Sequence, residues 1–270
     1  MVFYHGIILP ENLLAMKHKI SIIVYITGLV LAVSFKSAYS QELSAREIVK
    51  KADDKGRGQT SQGVLTLTII RPAWSRSITM KSWSKGTDYS LIYVTSPDKE
   101  KGLVFLKRKT DMWNWVPSIE RVIKVPPSMM MQSWMGSDFT NDDLVKESSL
   151  VVDYTQKLIG KEKVRDQECY KIELVPLPDA AVTWGKIILW ITIKGFDQWE
   201  AEYYDEESNL VNVMNASNIK RMGDREIPSR LEIVPVNKKG NNTILEINSM
   251  DFNKPIAENF FSQQNMKSVK

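Results

Sequence analysis

Val64-Leu-Thr-Leu-Thr-Ile-Ile70 decides the fold. Leu65, Leu67 and Ile69 alternate with Thr66 and Thr68, the period of two that places one row of side chains on a buried face and the other on an open one. The same rhythm recurs downstream in Ser77–Trp83, Tyr89–Thr95, Leu103–Lys107, Asp111–Val116 and Arg121–Val125. It resumes in Val151–Ile159, Cys169–Pro176, Lys186–Lys194, Glu200–Tyr204, Leu210–Ile219, Ile227–Val236 and Thr243–Phe252. Lys85-Gly86-Thr87-Asp88, Ser96-Pro97-Asp98-Lys99, Asp205–Asn209 and Lys238–Asn242 punctuate these runs as turns. The reading is a mainly β (α+β) chain of about eleven or twelve antiparallel strands in sequential hairpins, a sheet large enough to curl. No Pro- or Ser-rich linker divides it, so residues 41–270 read as one domain.

Two stretches interrupt the alternation. Upstream, Ser44-Ala-Arg-Glu47 fits a capping box. Leu43, Ile48, Val49 and Ala52 follow at helical spacing, and Gly56 and Gly58 stop the helix. In the middle, Ser128-Met-Met-Met-Gln-Ser-Trp-Met135 is apolar, lacks β-branched residues and reads as helical. Gly136-Ser-Asp-Phe139 then turns, and Thr140-Asn-Asp-Asp-Leu144 caps a further short helix.

The N-terminal 40 residues read as a leader rather than as fold. Met16-Lys-His-Lys19 is basic, Ile20–Phe35 is an uncharged apolar run, and Ala38 and Ser40 are the small residues before a cleavage point after Ser40. Residues 1–15 precede this better-formed leader, which makes Met16 a candidate for the true start. The run is short for a membrane span. Both histidines, three lysines (Lys17, Lys19, Lys36) and Glu11 leave with it, which takes the net charge from +4 to +2.

That inventory excludes much chemistry. A mature chain without histidine lacks the commonest general base and metal ligand. Its one cysteine, Cys169, allows no internal disulfide framework and stands in an alternating strand, where a thiol behaves as a small hydrophobe. Asp138, Asp142 and Asp143 match no calcium loop, so no metal or other cofactor is expected. The charges are interspersed, without the stripe that binds nucleic acid. An exported chain of this kind reads as a binding protein, with an enzyme built on the Asp138 and Asp142 carboxylates as the weakest alternative.

Two constellations are candidates for binding. Met129, Met130, Met131, Trp134 and Met135, with Phe139 and Leu144, could form a lid or cavity wall, since methionine repacks around variable apolar ligands. Equally, they could be an ordinary helix packed on the sheet, with Asp138 and Asp142 or Asp143 capping turns. Trp113 and Trp115 share one face of a strand. They would line an acyl-sized cavity if they face inward, or form core or rim if they do not. Arg121 is either solvent-facing or placed at a cavity mouth to pair with a phosphate or carbonyl head group.

At these residues the chain resembles the bacterial outer-membrane lipoprotein-sorting proteins, relatives of the periplasmic carrier LolA. The resemblance runs through Trp113-Asn-Trp-Val-Pro117 with Arg121, Met135-Gly-Ser-Asp-Phe-Thr-Asn-Asp-Asp-Leu144 and Cys169-Tyr170. It continues in Trp199-Glu-Ala-Glu-Tyr-Tyr-Asp205, Ile227-Pro-Ser-Arg230, and Phe252-Asn253 with Phe260-Phe261. It implies an incomplete β-barrel of about eleven strands with helices over its open side, and an apolar cavity that holds acyl chains. The implied protein is a monomeric periplasmic carrier without catalysis, taking acylated lipoproteins or lipids between an inner-membrane transporter and an outer-membrane acceptor. The alternative is an envelope module that docks on such a transporter and carries nothing.

Overall fold

The computed structural model describes residues 1–3, 42–146, 149–180 and 182–270. The expected leader and its cleavage point therefore lie outside the described residues, apart from the first three. Residues Leu43–Lys270 form one compact unit.

That unit opens with helix α1 (Ala45–Arg57). Ser44 Oγ accepts from Glu47 N, the Glu47 carboxylate accepts from Ser44 N at 2.8 Å, and Gly58 closes the helix at φ +66. The capping box thus behaves as the sequence predicts. Of the two glycines it is Gly58, two residues after Gly56, that closes the helix at positive φ.

Among the described residues the sheet has thirteen strands. They are β1 (Thr60–Arg71), β2 (Trp74–Lys85), β3 (Tyr89–Ser96), β4 (Val104–Arg108), β5 (Asp111–Val116), β6 (Arg121–Val125) and β7 (Tyr154–Val164). β8 (Gln167–Pro176), β9 (Lys186–Thr192), β10 (Gln198–Tyr204), β11 (Leu210–Met222), β12 (Arg225–Pro235) and β13 (Asn242–Phe252) complete them. Each segment read as a strand forms one, so the expected total of about eleven or twelve is corrected upward to thirteen. The order is β6-β5-β4-β3-β2-β1-β13-β12-β11-β10-β9-β8-β7, antiparallel throughout. Sequential hairpins account for every neighbour except β1 and β13, which join the two halves. The edges are β6 and β7. The chain between them, residues 126–153, therefore leaves one edge of the sheet and returns at the other.

Alternation sorts the side chains as expected. Leu65, Leu67 and Ile69 are buried. On the other face Thr66 Oγ1 donates to Asn248 at 2.8 Å, and Thr68 pairs with Ser77 at 2.9 Å. The main apolar cluster joins Phe105 of β4 and Met112 of β5 to Tyr154 of β7 and Ile172 of β8. Strands near opposite edges meet in one core only if the sheet curls, and it does so without closing.

The Met-rich segment is not the expected helix. It forms two short 3₁₀ turns, Pro127–Met129 and Trp134–Gly136, with Met135 at φ +50. Its hydrogen bonds go elsewhere. Trp134 N donates to Phe139 O at 2.8 Å, and the Arg76 guanidinium of β2 holds the Met135 carbonyl. Trp134 is fully buried with its ring 5.1 Å from that of Phe105. Tertiary anchoring has overridden helix propensity. After it comes a single wide helical turn, Asp142–Lys146, packed on β3 and β4. Thr140 and Asp143 cap it reciprocally: Thr140 N donates to Asp143 Oδ2 at 2.8 Å and Asp143 N to Thr140 Oγ1 at 3.1 Å.

The outer face near β2–β5 is covered by the C-terminal tail, which contains a 3₁₀ turn (Glu258–Phe260) and a one-turn helix, α2 (Gln263–Met266). Phe261 and Met266 are buried there against Tyr89, Leu91, Val104 and Leu106.

Candidate functional site

The floor of the site is the inner face of the sheet. Leu65 of β1, Met214 of β11, Leu231 of β12 and Leu245 of β13 project from it as alternate residues. Across from them lies α1. Between helix and floor are two adjoining cavities of about 310 Å³ each. Each volume falls in the ~300–1,000 Å³ range of small-molecule sites. The first runs under α1 past Ile227, Ile247 and Met250. The second runs under the 139–144 block past Ile92, Ile187, Tyr154, Tyr203 and Trp184. Eight residues line both: Asp53, Arg57, Leu65, Ser82, Gln198, Met214, Leu231 and Leu245.

Local sequence explains why a gap remains. Val49, Asp53 and Arg57 lie one turn apart on one ridge of α1. Val49 is 1% exposed and packs in the core. The next two positions on its ridge carry an ion pair instead of apolar side chains, Arg57 Nη2 to Asp53 Oδ1 at 3.2 Å. Beside the ridge Gly56 contributes no side chain. The helix is held over the floor at its end, where Lys55 pairs with Asp197 and donates to Gly195 O at 2.9 Å, and Arg225 Nη1 donates to Lys55 O at 3.0 Å.

The 135–144 block is fixed just as firmly. The Arg71 guanidinium of β1 pairs with Asp138 at 2.9 Å and donates to Gly136 O at 2.9 Å. Thr243 Oγ1 donates to Asp138 Oδ2 at 2.6 Å. Trp184 Nε1 donates to Asp143 Oδ1 at 2.9 Å, and Thr183 N to Asp142 Oδ2 at 3.2 Å. Asp138 is thus the staple that sets Phe139 in the cavity wall. Burial pushes the Asp143 carboxyl above the ordinary aspartate value, against the pull of its Thr140 and Trp184 hydrogen bonds. The hydroxyls of Tyr154 and Tyr203 are likewise pushed up by burial, with the nearby carboxylates adding to it.

The residues singled out in the sequence are not all brought together. Phe139 and Leu144 line the second cavity. Trp134 packs behind it, and Met130 and Met135 are half-buried against the same core. Met129 and Met131 are exposed, at 37% and 60%. Trp113 and Trp115 face the other way. Their neighbour Met112 is in the inner core, whereas the two indoles pack on the outer face with Phe260 and Phe261 and do not line the hollow. Lys124 and Lys267 lie over these indoles, at 5.9 Å and 5.6 Å. Arg121 is exposed on edge strand β6. Cys169 is buried, its thiol pushed up to about 11 by desolvation, which keeps it inert. The polar lining, Asp53, Arg57, Ser82 and Gln198, was missed. The available signal was the (i, i+4) ion pair that interrupts the apolar ridge begun by Val49. Among the described residues no group of three or more His, Cys, Asp or Glu is placed to hold a metal ion.

A family model described as "Uncharacterized protein"-like matches residues 86–268. No curated protein matches the chain. Several solved structures do. A DUF1329 family protein from Desulfovibrio piger superposes with TM-score 0.75 at 21% identity, over 82% of this chain and 97% of that one. An outer membrane lipoprotein-sorting protein domain from Vibrio parahaemolyticus gives 0.73 at 22% identity, over 83% and 98%. A LolA superfamily protein from Nitrosomonas europaea gives 0.73 at 23% identity, over 83% and 99%.

Proposed function

Because this chain belongs to the family matched over residues 86–268 and has the fold of LolA-superfamily and lipoprotein-sorting proteins, we propose that it carries the acyl chains of lipoproteins, or of a related lipid, through the periplasm without catalysis. The observation that carries the reading is the apolar hollow between α1 and the sheet floor, walled by Phe139 and Leu144. Each buried methylene is worth about 0.8 kcal/mol, so an acyl chain leaves a bilayer only for an equivalent apolar slot. A cavity interrupted by polar groups binds less tightly than a dry one, which suits cargo that must be released. The leader read at residues 1–40 supports export, and an inner-membrane donor and outer-membrane acceptor follow from the same route.

Leu231 is half-buried and lines both cavities, so Leu231→Trp should fill the hollow at small cost to the fold. Titration with a fluorescent fatty-acyl probe should show saturable binding to the wild type and at least a tenfold loss in the variant, about 1.4 kcal/mol. Equal binding by both folded proteins would remove the hollow from the account.

One observation favours a second reading, an envelope docking module. Ile119, Ile123, Met129 and Met131 are all exposed in or beside edge strand β6. Protein purified from the envelope should carry lipid if it is a carrier. It should arrive empty, with a protein partner, if it is a docking module.

A further inference from the structure

The C-terminal tail does not seal the outer face. Beside it, over β1, β2 and β4, runs an open groove of about 1000 Å³, at the upper end of the range for small-molecule sites. It lies across the sheet from the hollow: Ser82 and Ser84 line the hollow, whereas Trp83 between them lines the groove. Past Gln62 and Trp83 the groove continues into a cleft of about 480 Å³ that reaches the β11–β12 turn. Packing accounts for Phe261, which is fully buried, but Phe260 and Trp83 are only half-buried, their rings 5.3 Å apart at 58°. Gln62 is the cross-strand partner of Trp83, which sets its amide beside the indole on the same face. Some polar groups of the lining serve the tail's own turn: Ser262 Oγ accepts from Asn265 N at 3.3 Å, and Asn265 Nδ2 donates to Phe260 O at 2.8 Å. Gln62, Asn259 and Gln264 do not, and their side chains form no hydrogen bond among the described residues. Three planar amides thus surround one aromatic corner with nothing in the fold to bind.

We propose that this outer groove binds a glycan chain of acetamido sugars, stacked on Trp83 and Phe260, hydrogen-bonded by Gln62, Asn259 and Gln264, and with its acidic substituents toward Arg221. The inference goes beyond the carrier reading and does not depend on it. A sugar ring offers C–H bonds to the negative face of an aromatic ring. Its hydroxyl and acetamido groups both donate and accept, as side-chain amides do. The acetamido methyl has Ile256 and Ala257 to pack on. Charge sets the direction of the chain. In the groove Arg108 and Glu258 compensate each other, Nη2 to Oε1 at 3.3 Å. In the cleft Asp251 is paired with Lys254 at 2.6 Å, which leaves Lys81 and the exposed Arg221 in excess. An acyl chain is disfavoured, because it would strip water from the three amides and give them no partner. A Pro-rich peptide docks in a groove walled by aromatic rings, whereas here one aromatic corner is followed by amides and hydroxyls.

The test is calorimetric titration of the mature chain with four probes: a hyaluronan tetrasaccharide, tetra-N-acetylchitotetraose, maltotetraose and decaproline. The hyaluronan probe, which alternates acetamido sugars with carboxylates, should bind tightest. Chitotetraose should bind about threefold more weakly, and maltotetraose and decaproline roughly tenfold more weakly or worse. Trp83→Ala should weaken the hyaluronan probe by roughly tenfold. Should that variant not fold, Gln62→Ala and Gln264→Ala decide. Each removes an amide without an internal partner and should cost about threefold. Arg221→Gln should bring the two acetamido probes to equal affinity, and equal affinity already in the wild type overturns the acidic end of the site. Every folded variant should hold the fluorescent fatty-acyl probe as the wild type does, so a failure here leaves the carrier reading standing. A wild type that binds no sugar, or that prefers maltotetraose or decaproline, overturns the glycan site. So does undiminished sugar binding in the folded variants of Trp83, Gln62 and Gln264.

Discussion

The sheet is covered on both faces, and the two covers differ in kind. On the outer face the C-terminal tail lays aromatic side chains onto β2–β5. Trp83 meets Phe260 with centroids 5.3 Å apart, Tyr89 meets Phe261 at 5.5 Å, and Phe260 and Phe261 meet edge-on at 5.4 Å. On the inner face α1 buries Ile48 and Val49 at its start but presents Asp53 and Arg57 to the floor farther on. A cover that ends in aromatic knobs buries Phe261 and Met266 against the sheet and leaves its open space, about 1000 Å³, as a groove beside Phe260 lined by Arg108, Glu258 and Gln264. A cover that ends in an ion pair stands off an apolar floor and leaves a hollow. Burial alone would count both regions as core, and only the chemistry of the covering residues separates packing from a binding site.

The comparison can be broken from either side. The largest effect should come from Asp138→Ala, which leaves the Arg71 guanidinium without its buried partner and should cost about 3–5 kcal/mol. The same change frees Phe139 from its staple, so denaturant unfolding and acyl-probe binding should fall together. Phe261→Ala removes a fully buried ring from the outer cover and should cost roughly 3–5 kcal/mol as well. Here probe affinity, measured well below the lowered melting temperature, should stay that of the wild type. Loss of binding in that variant would show that the two faces are coupled.

Smaller effects sharpen the contrast. Ser44→Ala removes the oxygen that caps α1 and should cost about 1 kcal/mol of stability, with a modest rise in the probe's dissociation rate if α1 is the wall that opens. Asp143 should report on the second cavity through pH. Its folded pKa lies above the 3.8 of the unconstrained group, so the native state binds the proton more tightly than the unfolded chain does. Its burial therefore costs stability fully above the folded pKa and not at all below the unfolded one. In urea unfolding, the stability of the wild type relative to Asp143→Asn should fall as pH rises through that interval. Equal slopes would place the carboxyl in water.

The elements were legible because their signals are local. Ser44 and Glu47 cap α1 as their spacing demands, and Leu65, Leu67 and Ile69 go inside as their alternation demands. Two things were not local. A period of two separates the faces of β5 but does not say which is concave, and since both faces are covered, Trp113 and Trp115 are half-buried on the outer side rather than in the hollow. The Met-rich run had helical composition, but Arg76, Phe105 and Phe139, distant or later in the chain, fix its backbone in turns. The block at 135–144 stood out for a reason composition could not give. Asp138, Asp142 and Asp143 are fastenings to Arg71, Thr183 and Trp184. The polar lining was written in α1 as Val49, Asp53, Arg57, and became a site only once Met214, Leu231 and Leu245 arrived beneath it.

The central claim is that hydrocarbon occupies the space between α1 and the sheet floor. A crystal structure of the mature chain with a lipid brominated along its acyl chains tests it most directly. The account predicts anomalous bromine peaks within contact of Leu65, Met214 and Leu245 beneath Arg57. Bromine found only on the outer face or along the β6 edge, with the hollow closed by repacked side chains, would contradict it.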